Sequence, residues 1–117
     1  MNYVDGFVLA VPKKKLADYT KLAKKAGKIW MEYGALSYVE CVADDVAAGK
    51  LTSFPRAVKL APGEIVVFSY ITYKSRKQRD EILAKVMADT RISKDFKSLP
   101  FDGKRMIYGG FKGLVEM

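Results

Sequence analysis

The sequence predicts an α+β fold of the ferredoxin-like kind, a four-stranded antiparallel sheet with its helices on one face. Three observations predict it. Apolar patterns along the 117 residues follow the order strand, helix, strand, strand, helix, strand, the βαββαβ order of the split βαβ motif. Two long segments carry apolar residues at spacings of three and four, as helices do. All four candidate strands are apolar on both alternating faces, and two helices cover only one face of such a sheet. The uncovered face needs a second cover, and the simplest is another copy of the chain, so a homodimer joined through the sheet face is expected.

The first strand runs from Tyr3 to Val11, rich in Val and Phe. Pro12 ends it and opens a helix over Lys13 to Tyr33, where its missing N–H is not needed. Leu16, Tyr19, Ala23, Ala26, Trp30 and Tyr33 form the apolar stripe of that helix, and Gly34 is its left-handed cap. Leu36 to Ala43 is the second strand. Residues 46 to 63 form a long connection, a lid, a binding loop or an arm to a partner, with Ser53 capping a short helix over Phe54 to Lys59. Glu64 to Tyr73 is the third strand. Ser75-Arg76-Lys77-Gln78 is a capping box that starts a helix to about Ala88. Ile92, Phe96 and Leu99 suggest a further short helical turn. The closing strand is sought in Pro100-Phe101-Asp102-Gly103-Lys104-Arg105-Met106-Ile107-Tyr108-Gly109-Gly110-Phe111, where a proline and an Asp-Gly turn lead into an apolar run. Gly109 and Gly110 within it mark a bulge or a close backbone approach.

Composition bounds the function. With 50% hydrophobic residues and no low-complexity tract, residues 1–117 read as one globular domain. The apolar run Phe7 to Val11 is too short to span a bilayer, and its lysines follow it where a secretory signal would place them first. A cytoplasmic protein without a membrane partner is expected, and the lone cysteine, Cys41, agrees. The chain has no histidine. That excludes Ser-His-Asp and Cys-His nucleophile pairs and His-ligated zinc, iron or haem, and leaves Asp, Glu, Lys, Tyr or Cys as acid or base.

The net charge of +8 raises the question of acidic ligands. Lys14, Lys21, Lys24, Lys25 and Lys28 lie opposite the apolar stripe of the first helix, as a phosphate grip or as its solvated face; nucleic-acid binding is expected to be weak and nonspecific at most. Asp44-Asp45 reads as a turn pair or as half of a two-carboxylate metal site that lacks a third ligand, so no metal and no cofactor is expected.

Tyr3-Val4-Asp5-Gly6-Phe7, Tyr33-Gly34-Ala35-Leu36 with Val39-Glu40-Cys41 and Asp44-Asp45, and the closing Pro100 to Phe111 stretch together resemble the YbaA-like family, small bacterial proteins of unknown function. The resemblance runs over nearly the whole chain. It implies a dimeric α+β barrel, in which two ferredoxin-like sheets face each other, and no established activity. The wider superfamily includes cofactor-free monooxygenases, isomerases and haem-handling proteins, an analogy of fold alone; its haem-binding members generally rely on the histidine that this chain lacks.

Asp5, Glu40 and Arg105 are charged residues within otherwise apolar strands, so burial would demand pairing. They read either as a pocket for a small polar or anionic metabolite, with Arg105 as its anchor and Asp5 or Glu40 as the arginine's partner when empty, or as a structural ion pair. Tyr38 and Tyr108 complete the candidate pocket. Cys41 reads as a small buried thiol or a nucleophile, and Trp30, Tyr19 and Tyr33 as core. Three functions follow. The first is a small-molecule binder or cofactor-free enzyme using the barrel interior. The second is an RNA-binding module stacking bases on Phe68 and Tyr70, against which the third strand lacks the Gly-aromatic-Gly core of that motif. The third is an interaction protein without chemistry.

Overall fold

A computed structural model describes residues 2–117. Strand β1 spans Tyr3–Pro12, helix α1 Leu16–Glu32 and strand β2 Ser37–Val42. Helix α2 (Phe54–Ala57) and strand β3 (Glu64–Tyr73) follow, then helices α3 (Arg76–Ala88) and α4 (Thr90–Asp95) and strand β4 (Ile107–Lys112). The sheet is antiparallel throughout, in the order β2-β3-β1-β4, an arrangement compatible with a ferredoxin-like fold.

Local chemistry places the elements. Pro12 is the last residue of β1, and Lys13–Lys15 make a 3₁₀ turn before α1, so the helix starts three residues later than its pattern suggested. Gly34, at φ +110°, turns the chain out of α1 as expected of a left-handed cap. The Ser75 hydroxyl accepts from the Gln78 N–H at 3.1 Å and caps α3, while the Gln78 side chain accepts from the N–H of Lys74, one residue before the cap, at 2.8 Å, a shifted form of the expected capping box. Asp89 caps α4 through the Arg91 N–H. The Pro100 stretch is corrected: only Ile107 onward is strand, and Gly103–Arg105 form a 3₁₀ turn capped by Asp102. The Asp-Gly pair there opens a turn rather than joining two strands.

Register assigns the faces. Tyr3, Asp5, Phe7, Leu9 and Val11 alternate onto the side packed by α1 and α3, together with Val67, Ser69, Ile71 and Tyr73 of β3. Leu9, Val11, Tyr19, Ala23 and Val67 form one core cluster there; Trp30, Ile71, Tyr73, Ile82, Val86 and Ile92 belong to a second. The Trp30 indole N–H donates to the Tyr73 hydroxyl at 3.1 Å, so neither buried polar atom is stranded. On the opposite face Val58, near α2, packs on Ala10 and Val66. Beyond that patch the face lies open: Phe68, Ile107 and Phe111 are exposed.

Gly110 shows why the closing strand carries glycine. It pairs with Asp5, and Arg79 and Tyr3 fill the space above it. The Arg79 guanidinium lies 5.0 Å over the Tyr3 ring, with Nε 3.1 Å from Asp5 Oδ1. A Cβ at position 110 would collide with both side chains. Alanine normally strengthens a strand relative to glycine. Here the sign reverses: Gly110→Ala is expected to lose about 1–3 kcal/mol through overpacking, read as a lower urea midpoint. An unchanged or raised midpoint would refute the close approach.

Candidate functional site

The helix face of the sheet does not close completely against α1. Where a denser core would set large side chains, α1 presents Ala23 and Ala26, and a cavity of about 280 Å³ remains. Phe7 of β1 and Ser69 and Ile71 of β3 floor it, and Trp30 walls it from the helix. Phe96, Phe101 and Met106, from the segment between α4 and β4, close the far end. The wall is almost wholly apolar. Its one charged group is Glu40.

Glu40 sits at mid-strand in β2, opposite Ser69. The Tyr19 hydroxyl donates to Oε1 at 2.7 Å and the Tyr38 hydroxyl to Oε2 at 3.0 Å. Burial pushes both phenols well above the usual tyrosine range, and the Glu40 charge pushes the same way. Both are therefore neutral donors at physiological pH. Gly27 lets Tyr38 lie against α1: a Cβ there would stand 2.8 Å from Tyr38 Cδ1. Across the cluster lies an open groove of about 840 Å³ between α1 and β2, bordered by Lys24, Lys28 and Cys41. Tyr19, Tyr38 and Glu40 line both spaces, so the cluster is the partition between them.

The six candidate pocket residues do not converge. Tyr38 and Glu40 share the cavity. Asp5 lies on the helix side but pairs with Arg79, a residue the sequence did not single out. Burial raises the Asp5 carboxyl above its ordinary value, against the pull of Arg79. Arg105 is in the 3₁₀ turn, and neither Asp5 nor Glu40 is its partner. It holds Glu64 through two nitrogens, Asp102 through Nε at 3.0 Å and the Lys59 carbonyl at 2.9 Å. Cys41 is exposed rather than buried, and Tyr108 is 72% exposed, its ring 6.3 Å from that of Phe7. The cavity residues missed by sequence reasoning are Tyr19, Trp30 and Phe101 in this role. Their aromatic character was visible, but only the packing of α1 on β2 joins Tyr19 to Glu40. Asp44 and Asp45 are exposed. Among the described residues no three Cys, Asp or Glu side chains gather as a metal site would need, and no helix is long and apolar enough to cross a membrane.

Residues 2–103 match the model of the family described as "Protein of unknown function (DUF1428)". The chain belongs to that family. It is 51% identical over 116 residues to the "Uncharacterized protein YbaA" of Escherichia coli strain K12, covering 99% of both chains, and matches the protein of the same name in Shigella flexneri equally. The resemblance to YbaA-like proteins is thus upheld at the level of family. Among solved structures, a "De novo designed protein Foldit4" aligns over 97% of this chain and 100% of its own at 13% identity with a TM-score of 0.48, too loose a likeness to bear on fold or function.

The charge pairs outside the cavity set an acid limb. Hydrogen bonds from Arg105 hold Glu64 below its ordinary 4.5 and Asp102 below its ordinary 3.8. Arg91 does the same for Asp89 and Glu32. Carboxyls lowered in the folded chain contribute stability above their unfolded values, and that contribution goes as pH falls through the folded ones. Asp5 runs the other way, since burial favours its protonated form. The four outnumber the one, so stability is expected to fall on acidification below about pH 4. Arg105→Gln should unfold at lower urea than the wild type at neutral pH, and the gap should narrow at about pH 3. A gap independent of pH would mean that Arg105 stabilises by packing instead.

Proposed function

We propose that the protein is a homodimer that binds a small, largely apolar molecule in the cavity between α1 and the sheet, holding one polar group of the ligand at Glu40. The observation that carries this reading is the cavity itself. It is a partly open hollow between α1 and the sheet, and at about 280 Å³ it is roughly twice the size of an apolar cavity that takes up benzene. An apolar wall with a single oriented polar group is the ordinary make-up of a small-molecule site. Four of the five N–H donors of Arg105 are taken by protein acceptors, which moves the reading away from an anion bound there. A cofactor-free reaction in the cavity would use Glu40 as its proton acceptor, the chain having no histidine.

The dimer reading rests on the open sheet face. Val4, Val8, Val66, Phe68, Tyr70 and Phe111 have the register of that face. Of the chain's 21 basic and 13 acidic residues, only Glu64 has that register, at the strand's first residue and tied to Arg105. Two copies can meet there without like-charge repulsion, as a pair of ferredoxin-like single-domain subunits forming a dimeric α+β barrel. A nucleic acid would want basic residues beside the Phe68 and Tyr70 rings, and no basic residue of the strands has the register of that face. The single cysteine, which cannot form an internal disulfide, supports a cytoplasmic location.

Two measurements test these readings. Light scattering is expected to give about twice the 13.1 kDa chain mass, and a double Phe68→Lys, Phe111→Lys variant about one chain mass. A monomeric wild type would refute the barrel. Millimolar 2-phenylethanol is expected to raise the wild-type melting temperature by a few degrees. Ala26→Leu, which fills the cavity from α1, should remove that rise while remaining folded. No shift in the wild type, or equal shifts in both proteins, would count against the cavity as the site.

A further inference from the structure

We infer that the ligand of this cavity is an organic cation, a small primary or secondary ammonium on an aromatic or branched aliphatic body. The inference rests on the cavity being a binding site and concerns the charge of what it takes. It begins with the state of Glu40. The buried or half-buried carboxylates elsewhere have cationic partners: Asp5 with Arg79, Glu64 with Arg105, Asp89 with Arg91, and Asp95 with Lys25. Glu40 is half-buried, and among the described residues no lysine or arginine forms an ion pair with it. Among the described residues, its carboxylate accepts hydrogen bonds from two phenols alone. They orient the carboxylate without neutralising it, since burial keeps both protonated. The Glu40 side chain thus has acceptor capacity and no ion-pair partner, and Lys24 and Lys28 border only the groove on its other side, not the cavity.

The rest of the wall suits a cation as well. Trp30 and Tyr38 stand with ring centroids 5.9 Å apart and planes 47° apart, and Tyr19 and Phe101 meet edge-on at 5.6 Å. All four border the cavity. Aromatic faces around an apolar space attract ammonium groups through their quadrupoles, most strongly where water is excluded. An ammonium N–H would donate to Glu40 while the body of the ligand fills the space toward Phe7 and Ile71. Each carboxylate oxygen takes one tyrosine hydroxyl and keeps a further lone pair for this. A carboxylate-bearing ligand would meet Glu40 with like charge and find no basic side chain on the wall. The overall charge of +8 opposes a cation only at long range, and salt screens it within about 8 Å at physiological ionic strength.

The test uses three probes of nearly equal shape: 2-phenylethylamine, 2-phenylethanol and phenylacetate. Trp30, the chain's one tryptophan, borders the cavity, so its fluorescence reports occupancy. At neutral pH the amine is expected to bind at least about tenfold more tightly than the alcohol, and phenylacetate more weakly than either. In Glu40→Gln the amine should fall to the affinity of the alcohol, with the alcohol little changed. The wild-type comparison decides the matter even if the variant does not fold. Equal binding of amine and alcohol overturns the cationic assignment and leaves the cavity reading standing. Tighter binding of phenylacetate overturns it too. Binding of none of the three overturns both readings.

Discussion

Strand β1 is hydrogen-bonded along both edges, to β3 from Tyr3↔Tyr73 to Pro12↔Glu64 and to β4 from Tyr3↔Lys112 to Val8↔Ile107. Successive side chains of a strand point to opposite faces, so these two ladders decide which chemistry meets the helices. Asp5 goes to the helix side with Leu9 and Val11. A buried carboxylate there requires a cation, and α3 supplies Arg79. Arg79 needs room, and β4 supplies it by having no side chain at Gly110. One register choice thus fixes a residue on α3 and a glycine on β4, far apart in sequence and in contact in space.

The same geometry explains where the molecule gives up packing. At the α1–sheet contact, Ala23 and Ala26 are small, and Gly27 lets Tyr38 lie against the helix. Larger residues would fill the hollow and gain apolar contact. Short side chains at successive turns of one helix instead leave space beside a polar cluster. The connection through Phe96, Leu99 and Phe101 covers that space. The packing forgone there is concentrated around a single carboxylate.

Much of the fold was legible in the sequence because local signals agreed with the final structure. Glu64–Tyr73 is a strand over the range its β-branched run suggested, and Ser75 caps α3 where the capping box placed its start. The closing stretch misled because Phe101 and Met106 are apolar for another reason: they cover the cavity from a turn, not from a strand. The faces of Asp5 and Glu40 could not be read, since hydrophobic alternation carries no direction when both faces are apolar. The Tyr19–Glu40 contact depends on how a helix packs on a strand 21 residues away, which no periodicity records. Cys41 looked buried among apolar neighbours, but it lies on edge strand β2, on the face that the helices leave open.

The position of β1 has a consequence for how the chain comes into being. Among the described strands, the one made first, β1, is an inner strand of the sheet, and its β4 neighbour is made last. At ordinary rates of synthesis, on the order of 5–20 s separate Tyr3 from its partner Lys112. Through that interval the edge of β1 that will receive β4 has no mate, and closing so long a loop is among the slower steps of folding. The nascent chain therefore passes through a stage in which α1 and the β2–β3 hairpin can already shelter one side of β1. Its other edge, an apolar strand with free backbone donors and acceptors, stays open to any strand that passes.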